Sequence, residues 1–315
     1  MSDKILQRRH IDALVAIGDC RSVHSASRTL GISQPALSRL LSEAEVVIGR
    51  RLFERSSQGS LPTLQGEVVL ARARALQRGL QRLGEALDQP AQVRIGSIAR
   101  AMHTLVPRLL DGAFDPKGLP AYQLRLVESS STGLLAATAR GELDFAVLKP
   151  PAELPAGAAA AALRMEALYD ERTVIVCSSD NAAIPRGTVP LSLLAEQDWV
   201  LPEPNTASRA AFDTFCDQHR MGAVRPVTET RSFETSLALV SHTRFVSVAP
   251  ESIARRQAAL GALRVLKTRY ALPSSPVTLM YLEALRDDPV LEAFRLRLHE
   301  VAARVRAELR RPGHE

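Results

Sequence analysis

Between residues 22 and 49, apolar positions recur every three or four residues: Val23, Ala26 and Leu30, then Ile32, Ala36, Leu37, Leu40, Leu41 and Ala44. That period predicts two short amphipathic helices. Gly31, between them, can take the left-handed conformation that ends the first. Ser33 can cap the free amides that start the second, and Pro35, in that first turn, gives up a donor with no helical partner. Gln34, Ser38 and Arg39 fall on the polar face. The pattern is that of a helix-turn-helix, whose second helix offers its polar first turns to the major groove.

The next segment, Arg50-Arg51-Leu52-Phe53-Glu54-Arg55, leads through the polar run Ser56 to Ser60 into Leu61-Pro62-Thr63. A tight two-stranded excursion carrying arginines is a wing, suited to phosphate or minor-groove contacts. Residues 66–88 then predict one helix roughly 35 Å long at 1.5 Å per residue. Along it Val69, Ala73, Leu76, Leu80, Leu83 and Leu87 alternate at four- and three-residue spacing, the seam of a helix pair, with Arg72, Arg74, Arg78 and Arg82 outside it. This seam predicts a dimerising linker.

From residue 92 onward the period shortens. Short apolar strands at 93–97, 122–128 and 144–148 alternate with helical segments at 102–114 and 131–140. Further strands at 172–177, 199–201, 224–229, 245–249 and 277–281 follow, with helices at 206–220 and 289–310. Alternation of this kind predicts parallel sheets with right-handed crossovers. One economical arrangement is two α/β subdomains, about 92–165 with 270–315 and about 166–269. Ligands in open α/β sheets sit beyond the carboxyl ends of the strands, where helix N-termini present free amides. The candidates there are Ser97 and Arg100 after the first strand, Ser129, Ser130, Ser131 and Thr132 after the second, and Lys149 after the third. Asn205 and Thr206 open a helix in the other subdomain. Hydroxyls, amides and one or two cations suit a small carboxylate.

The first ninety residues resemble the winged helix-turn-helix and linker helix of LysR-type transcriptional regulators. Ala26, Leu30, Ser33, Gln34, Pro35, Ser38, Leu52, Phe53, Arg55, Thr63 and Gly66 stand where that family's pattern has them. Gln58 departs from it where a basic residue is common, and Pro62-Thr63 replaces the usual Leu-Thr. The rest resembles the periplasmic-binding-protein-like effector domain of the same family. The implied organisation is a DNA-binding head at 1–65, a linker helix and hinge at 66–91 and an effector domain at 92–315. In that scheme Gln34, Ser38 and Arg39 approach base edges, with Pro35 and Ala36 in the same DNA-binding turn, while Ser33, Arg50, Arg51 and Arg55 hold phosphates. The resemblance further implies operator DNA, a small-molecule effector and a homodimer or dimer of dimers as partners, with RNA polymerase added if the protein activates.

Charge agrees with this picture. Of 40 Lys and Arg against 34 Asp and Glu, 13 and 9 fall in residues 1–90, so most of the net +6 lies beside the helix-turn-helix. Cys20, Cys177 and Cys216 are isolated and odd in number, as in a reduced cytoplasmic protein with buried thiols. The seven histidines show no zinc-ligand spacing, and no phosphate loop or nucleophile elbow occurs. Neither an enzyme nor a cofactor or metal is expected. No stretch approaches the ~18 apolar residues that span a membrane, and none follows the N-terminus, so a cytoplasmic protein is predicted. Two other readings stay open: a ligand-independent repressor with a vestigial cleft, and a small-molecule binding protein whose basic N-terminus is only a dimer arm.

Overall fold

A computed structural model describes residues 5–56, 59–85, 91–111, 122–151, 162–204, 206–222, 224–286 and 288–310, without the side chains of 55, 81–85, 91, 111 and 122. Leu87 and Asn205 therefore lie outside the described residues, as do the side chains of Arg55 and Leu83. Contacts divide the chain into two units. The first comprises Met1–Ala99, Leu110–Glu166 and Thr278–Leu298, and the second Arg100–Leu109, Ala167–Val277 and His299–Glu315.

The first unit begins with a head of three helices, α1 (Arg8–Cys20), α2 (Val23–Leu30) and α3 (Gln34–Ile48). Leu14, Ile17, Ala26, Leu37, Ala44 and Leu52 form its buried centre, with Leu30, Ile32, Leu40 and Leu41 packed around it. The stripe foreseen in the sequence is thus the core face, apart from Ala36, which is exposed beside Gln34 and Pro35. The boundaries follow from local chemistry. The Ser33 hydroxyl accepts the Ala36 amide at 3.3 Å, and Gly31 and Gly49 end α2 and α3 with φ of 67° and 73°.

A hairpin of β1 (Phe53–Ser56) and β2 (Gly59–Pro62) forms the wing, and α4 (Leu64–Glu85) follows. The wing is tied at both ends. The Glu45 carboxylate on α3 accepts the Leu52 and Phe53 amides at 2.7 and 3.3 Å, and the Ser60 amide donates to the Arg21 carbonyl at 2.9 Å. At the start of α4, Thr63 donates its hydroxyl to the Arg51 carbonyl and accepts the Gly66 amide, both at 3.0 Å.

The linker helix differs from its sequence reading. Val69 packs against the head core and Ala73 is buried, so two of the four seam residues with described side chains serve intrachain packing. Leu76 and Leu80 are exposed. Arg74 and Arg78, outside the foreseen seam, are buried, because the α4 face opposite Leu76 packs inside the unit and their guanidinium groups find oxygen partners there. A helical period marks a stripe but not which stripe a neighbour will cover.

The rest of this unit is built on a sheet in the order β4 (Tyr122–Glu128), β3 (Ala91–Ser97), β5 (Phe145–Leu148) and β13 (Ser274–Leu282, from residue 278). The first three are parallel, and β13 runs antiparallel to β5. α6 (Ser131–Ala139) connects β4 to β5. Phe145 lies 5.4 Å from Phe294 and 5.9 Å from Tyr281, ring centre to ring centre, in the core.

In the second unit β6 (Leu163–Ser178, from residue 167), β10 (Val246–Pro250), β8 (Trp199–Pro202) and β9 (Pro226–Thr230) lie side by side, β10 antiparallel to β6 and the rest parallel. β11 (Leu263–Val265) pairs with the other edge of β6, and β7 (Thr188–Val189) with β12 (Lys267–Thr268). Trp199 is fully buried against Phe212 and donates its indole N–H to the Leu194 carbonyl at 3.0 Å. Most of α5 (Ala99–Asp111), α7 (Leu191–Ala195), α8 (Ala207–Gln218), α9 (Phe233–His242) and α10 (Glu251–Ala259) belong here, and α11 (Pro289–Arg310) ends here. The sequence pattern does not mark α7, α9, α10 or the short strands β7, β11 and β12, and it marks only 172–177 of β6.

Candidate functional site

The head presents one polar surface. Gln34, Pro35, Ala36 and Arg39 are exposed on the first turns of α3 and Ser38 is half-buried beside them. Arg50 and Arg51, just past the end of α3, are exposed, and Arg55 follows on β1. Among the described residues the guanidinium groups of Arg39, Arg50 and Arg51 have no ion pair or hydrogen bond, so they remain available to an anion. Ser33 spends its oxygen lone pair on the cap and keeps its O–H as a donor.

Two residues unmarked in the sequence aim this surface. His10 accepts the Gln7 amide on Nδ1 at 3.0 Å, which leaves the proton on Nε2, and Nε2 meets the Glu43 carboxylate of α3 at 3.1 Å. Glu45 ties α3 to the wing. Both pairings join residues remote in sequence or joined through a turn, where no short motif exists.

Six of the candidate effector residues come together in the first unit. The Ser129 amide donates to the Ser97 carbonyl at 3.2 Å, and the Lys149 amide donates to the Ser131 hydroxyl at 3.2 Å. Ser130 caps α6 through the Gly133 amide and lies 3.0 Å from the Thr132 hydroxyl. Ser97 is buried and gives its hydroxyl to the Ile98 carbonyl, so it is framework. Exposed Ser129, Thr132 and Lys149 and the first amides of α6 are the polar groups that face outward.

In the second unit, Thr206 caps α8 by accepting the Arg209 amide at 3.2 Å. Arg100 is no solvated cation: it is 7% exposed and donates to the Ser275 hydroxyl at 3.2 Å. Burial lowers its pKa, opposed by Glu171 and Tyr169. Burial likewise pushes the Glu171 carboxyl up, opposed by the Ser252 amide and hydroxyl at 3.0 and 2.8 Å. Near this network a cavity of about 340 Å³ is lined by His103, Arg108, Phe233, Glu234 and Arg256, with His103 2.5 Å from Glu234. Residues 103 and 234 meet only through the fold.

Cys177 and Cys216 are buried free thiols and Cys20 is half-buried. Among the described residues no His, Cys, Asp and Glu cluster could hold a metal ion, and no helix is long and apolar enough to cross a membrane.

Residues 8–67 match the family described as bacterial regulatory helix-turn-helix protein, lysR family, and residues 88–303 match the LysR substrate binding domain. The chain is 26% identical over 314 residues to the HTH-type transcriptional regulator GbpR of Azospirillum brasilense, covering 97% of this chain and 89% of that one. It is 30% identical over 270 residues to the small neutral protease regulatory protein of Streptomyces coelicolor, covering 82% and 78%. Among solved structures, ArgP from Mycobacterium tuberculosis aligns over 95% of this chain and 98% of its own at TM-score 0.71 and 18% identity. Full-length LysG from Corynebacterium glutamicum, with arginine bound as effector, aligns over 95% and 99% at TM-score 0.69 and 19% identity. At such identities these two show the fold.

Proposed function

Since the chain belongs to the LysR family, DNA-binding transcriptional regulators with an effector-binding domain, we propose that the first turns of its α3 read base edges while Arg50, Arg51 and Arg55 grip phosphates. The observation that carries this reading is the capped, exposed N-terminus of α3 with Arg39 on its next turn and Arg50 and Arg51 past its other end, all three without a partner among the described residues. Gel shifts at two salt concentrations test it. Arg39→Ala should cost operator DNA about 1–3 kcal/mol more than random DNA, the worth of a bidentate contact to guanine. Arg50→Ala with Arg51→Ala should weaken both alike and reduce the salt slope by about two contacts. Proportional losses in both variants would assign Arg39 to a phosphate instead.

The effector is a small organic anion, received at the N-terminus of α6 by its free amides, the hydroxyls of Ser129 and Thr132 and the Lys149 ammonium. Cations and helix-end amides facing one spot favour negative charge. Control of transcription then requires unequal affinity of that anion for two arrangements of the protein.

Exposed Leu76 and Leu80, one helical turn apart on α4, supply the homodimer contact, and a dimer of dimers is compatible with it. Leu76→Lys with Leu80→Lys should lower the sedimenting mass, because charges replace apolar contact. An unchanged oligomer would remove α4 from the interface.

A further inference from the structure

A cavity of about 660 Å³ in the first unit joins the head, the linker helix and the β3–β4 sheet, and it is lined by Arg21, Arg74, Arg78, Arg94, Arg125 and Arg140. The carboxylates beside them are Asp19 and Glu142 in the lining and Asp144 behind Arg78, which leaves an excess of three positive charges. Three of the arginines are committed. Arg74 bridges Asp19 at 2.5 Å and the Arg140 carbonyl at 2.6 Å, Arg78 holds the Gly141 carbonyl and Asp144, and Arg140 forks onto Glu142. The others are not. Among the described residues the guanidinium groups of Arg21 and Arg125 have no hydrogen bond or ion pair, and Arg94 reaches only the neutral Gln92 amide at 3.3 Å.

Sheet register supplies a second, independent observation. Arg94 on β3 stands directly opposite Arg125 on β4, so both side chains leave the same face of the sheet side by side. Like charges at directly opposed positions destabilise a sheet. A cavity built from such a pair, facing a third free guanidinium on the head, gains from an anion that neutralises several charges together. One carboxylate carries too little charge, whereas an oligophosphate matches both the excess and the fork geometry of arginine. The volume lies within the range of small-molecule sites.

We propose that this cavity binds a small oligophosphate compound, free or as a nucleoside ester, and thereby holds the DNA-binding head and linker against the sheet. The site is separate from the effector loops, which sit at the other end of α6, about 13 Å away at 1.5 Å per residue.

Calorimetry on the full chain in about 0.15 M salt tests this with sodium tripolyphosphate, and with adenosine triphosphate to show whether a base adds affinity. The expected result is saturable binding of one tripolyphosphate per chain, weakened about tenfold or more in Arg94→Gln/Arg125→Gln, since hydrogen bonds to charged groups are lost. Arg125→Gln alone, at an exposed position, should show part of that loss with an unchanged melting temperature. Arg39→Gln/Arg50→Gln and Lys149→Gln should bind as the unmodified chain does. Absence of saturable heat, equal binding by the double variant, or an equal loss in Arg39→Gln/Arg50→Gln overturns the proposal, the last by moving the phosphate to the DNA surface.

Discussion

Replacing Arg78 with methionine is expected to destabilise the protein by roughly 3–5 kcal/mol, the usual penalty for removing one partner of a buried ion pair. The Arg78 side chain is 8% exposed and that of Asp144 1%, with Nε 3.3 Å from the carboxylate. Methionine fills most of the space but leaves the Asp144 charge with the Arg94 amide, at 2.9 Å, as its main remaining partner. The Gly141 carbonyl loses a donor in the same step. Urea unfolding measures the loss, and Arg78→Met/Asp144→Asn should recover part of it because the stranded charge is gone. A single variant within about 1 kcal/mol of the unmodified chain would mean that water reaches Asp144 and that the linker helix is not held there.

Gly66→Ala should cost about 3 kcal/mol, the upper part of the range for overpacking, because its new Cβ would run into the carbonyl oxygen of Leu52. The obstacle is backbone, already fixed by the Glu45 and Thr63 hydrogen bonds, so it cannot rotate away as a side chain would. Yielding means separating α4 from the wing, and DNA binding should fall with the melting temperature. Gly79 in the same helix is the control. A Cβ there meets nothing within 4 Å, so Gly79→Ala should raise stability by up to about 1 kcal/mol through helix propensity. Equal melting temperatures for the two variants would show that the start of α4 is looser than this packing.

The head was legible because its determinants are local. Ser33, Pro35 and Gly31 set helix ends through contacts within a few residues, and the Leu37, Leu40 and Leu41 stripe needs only the helical period to identify its buried face. The strand carboxyl ends were legible for a similar reason: Ser129 to Thr132 follow an apolar run and cap the next helix. α9 and α10 were missed for opposite reasons. Phe233 to His242 is short and mixes apolar with small residues, and Glu251 to Ala259 has few apolar positions, so its helix rests on packing by Ile253 and Ala254.

Sequence by itself thus determined the order of parts: a winged helix-turn-helix, a long linker helix and an α/β domain, together with the residues that α3 displays. Period, caps and turn residues act over a few positions and need no distant partner. Tertiary structure decided which faces became interior. It turned Val69 and Ala73 inward while leaving Leu76 and Leu80 out, and it buried Arg74 and Arg78 against oxygens more than sixty residues away. It made Arg100 a buried structural cation and set Arg94 opposite Arg125. An arginine carries the same charge in either setting. Whether it grips a phosphate, a carboxylate or water depends on what the rest of the chain folds against it, and on how much water that contact removes.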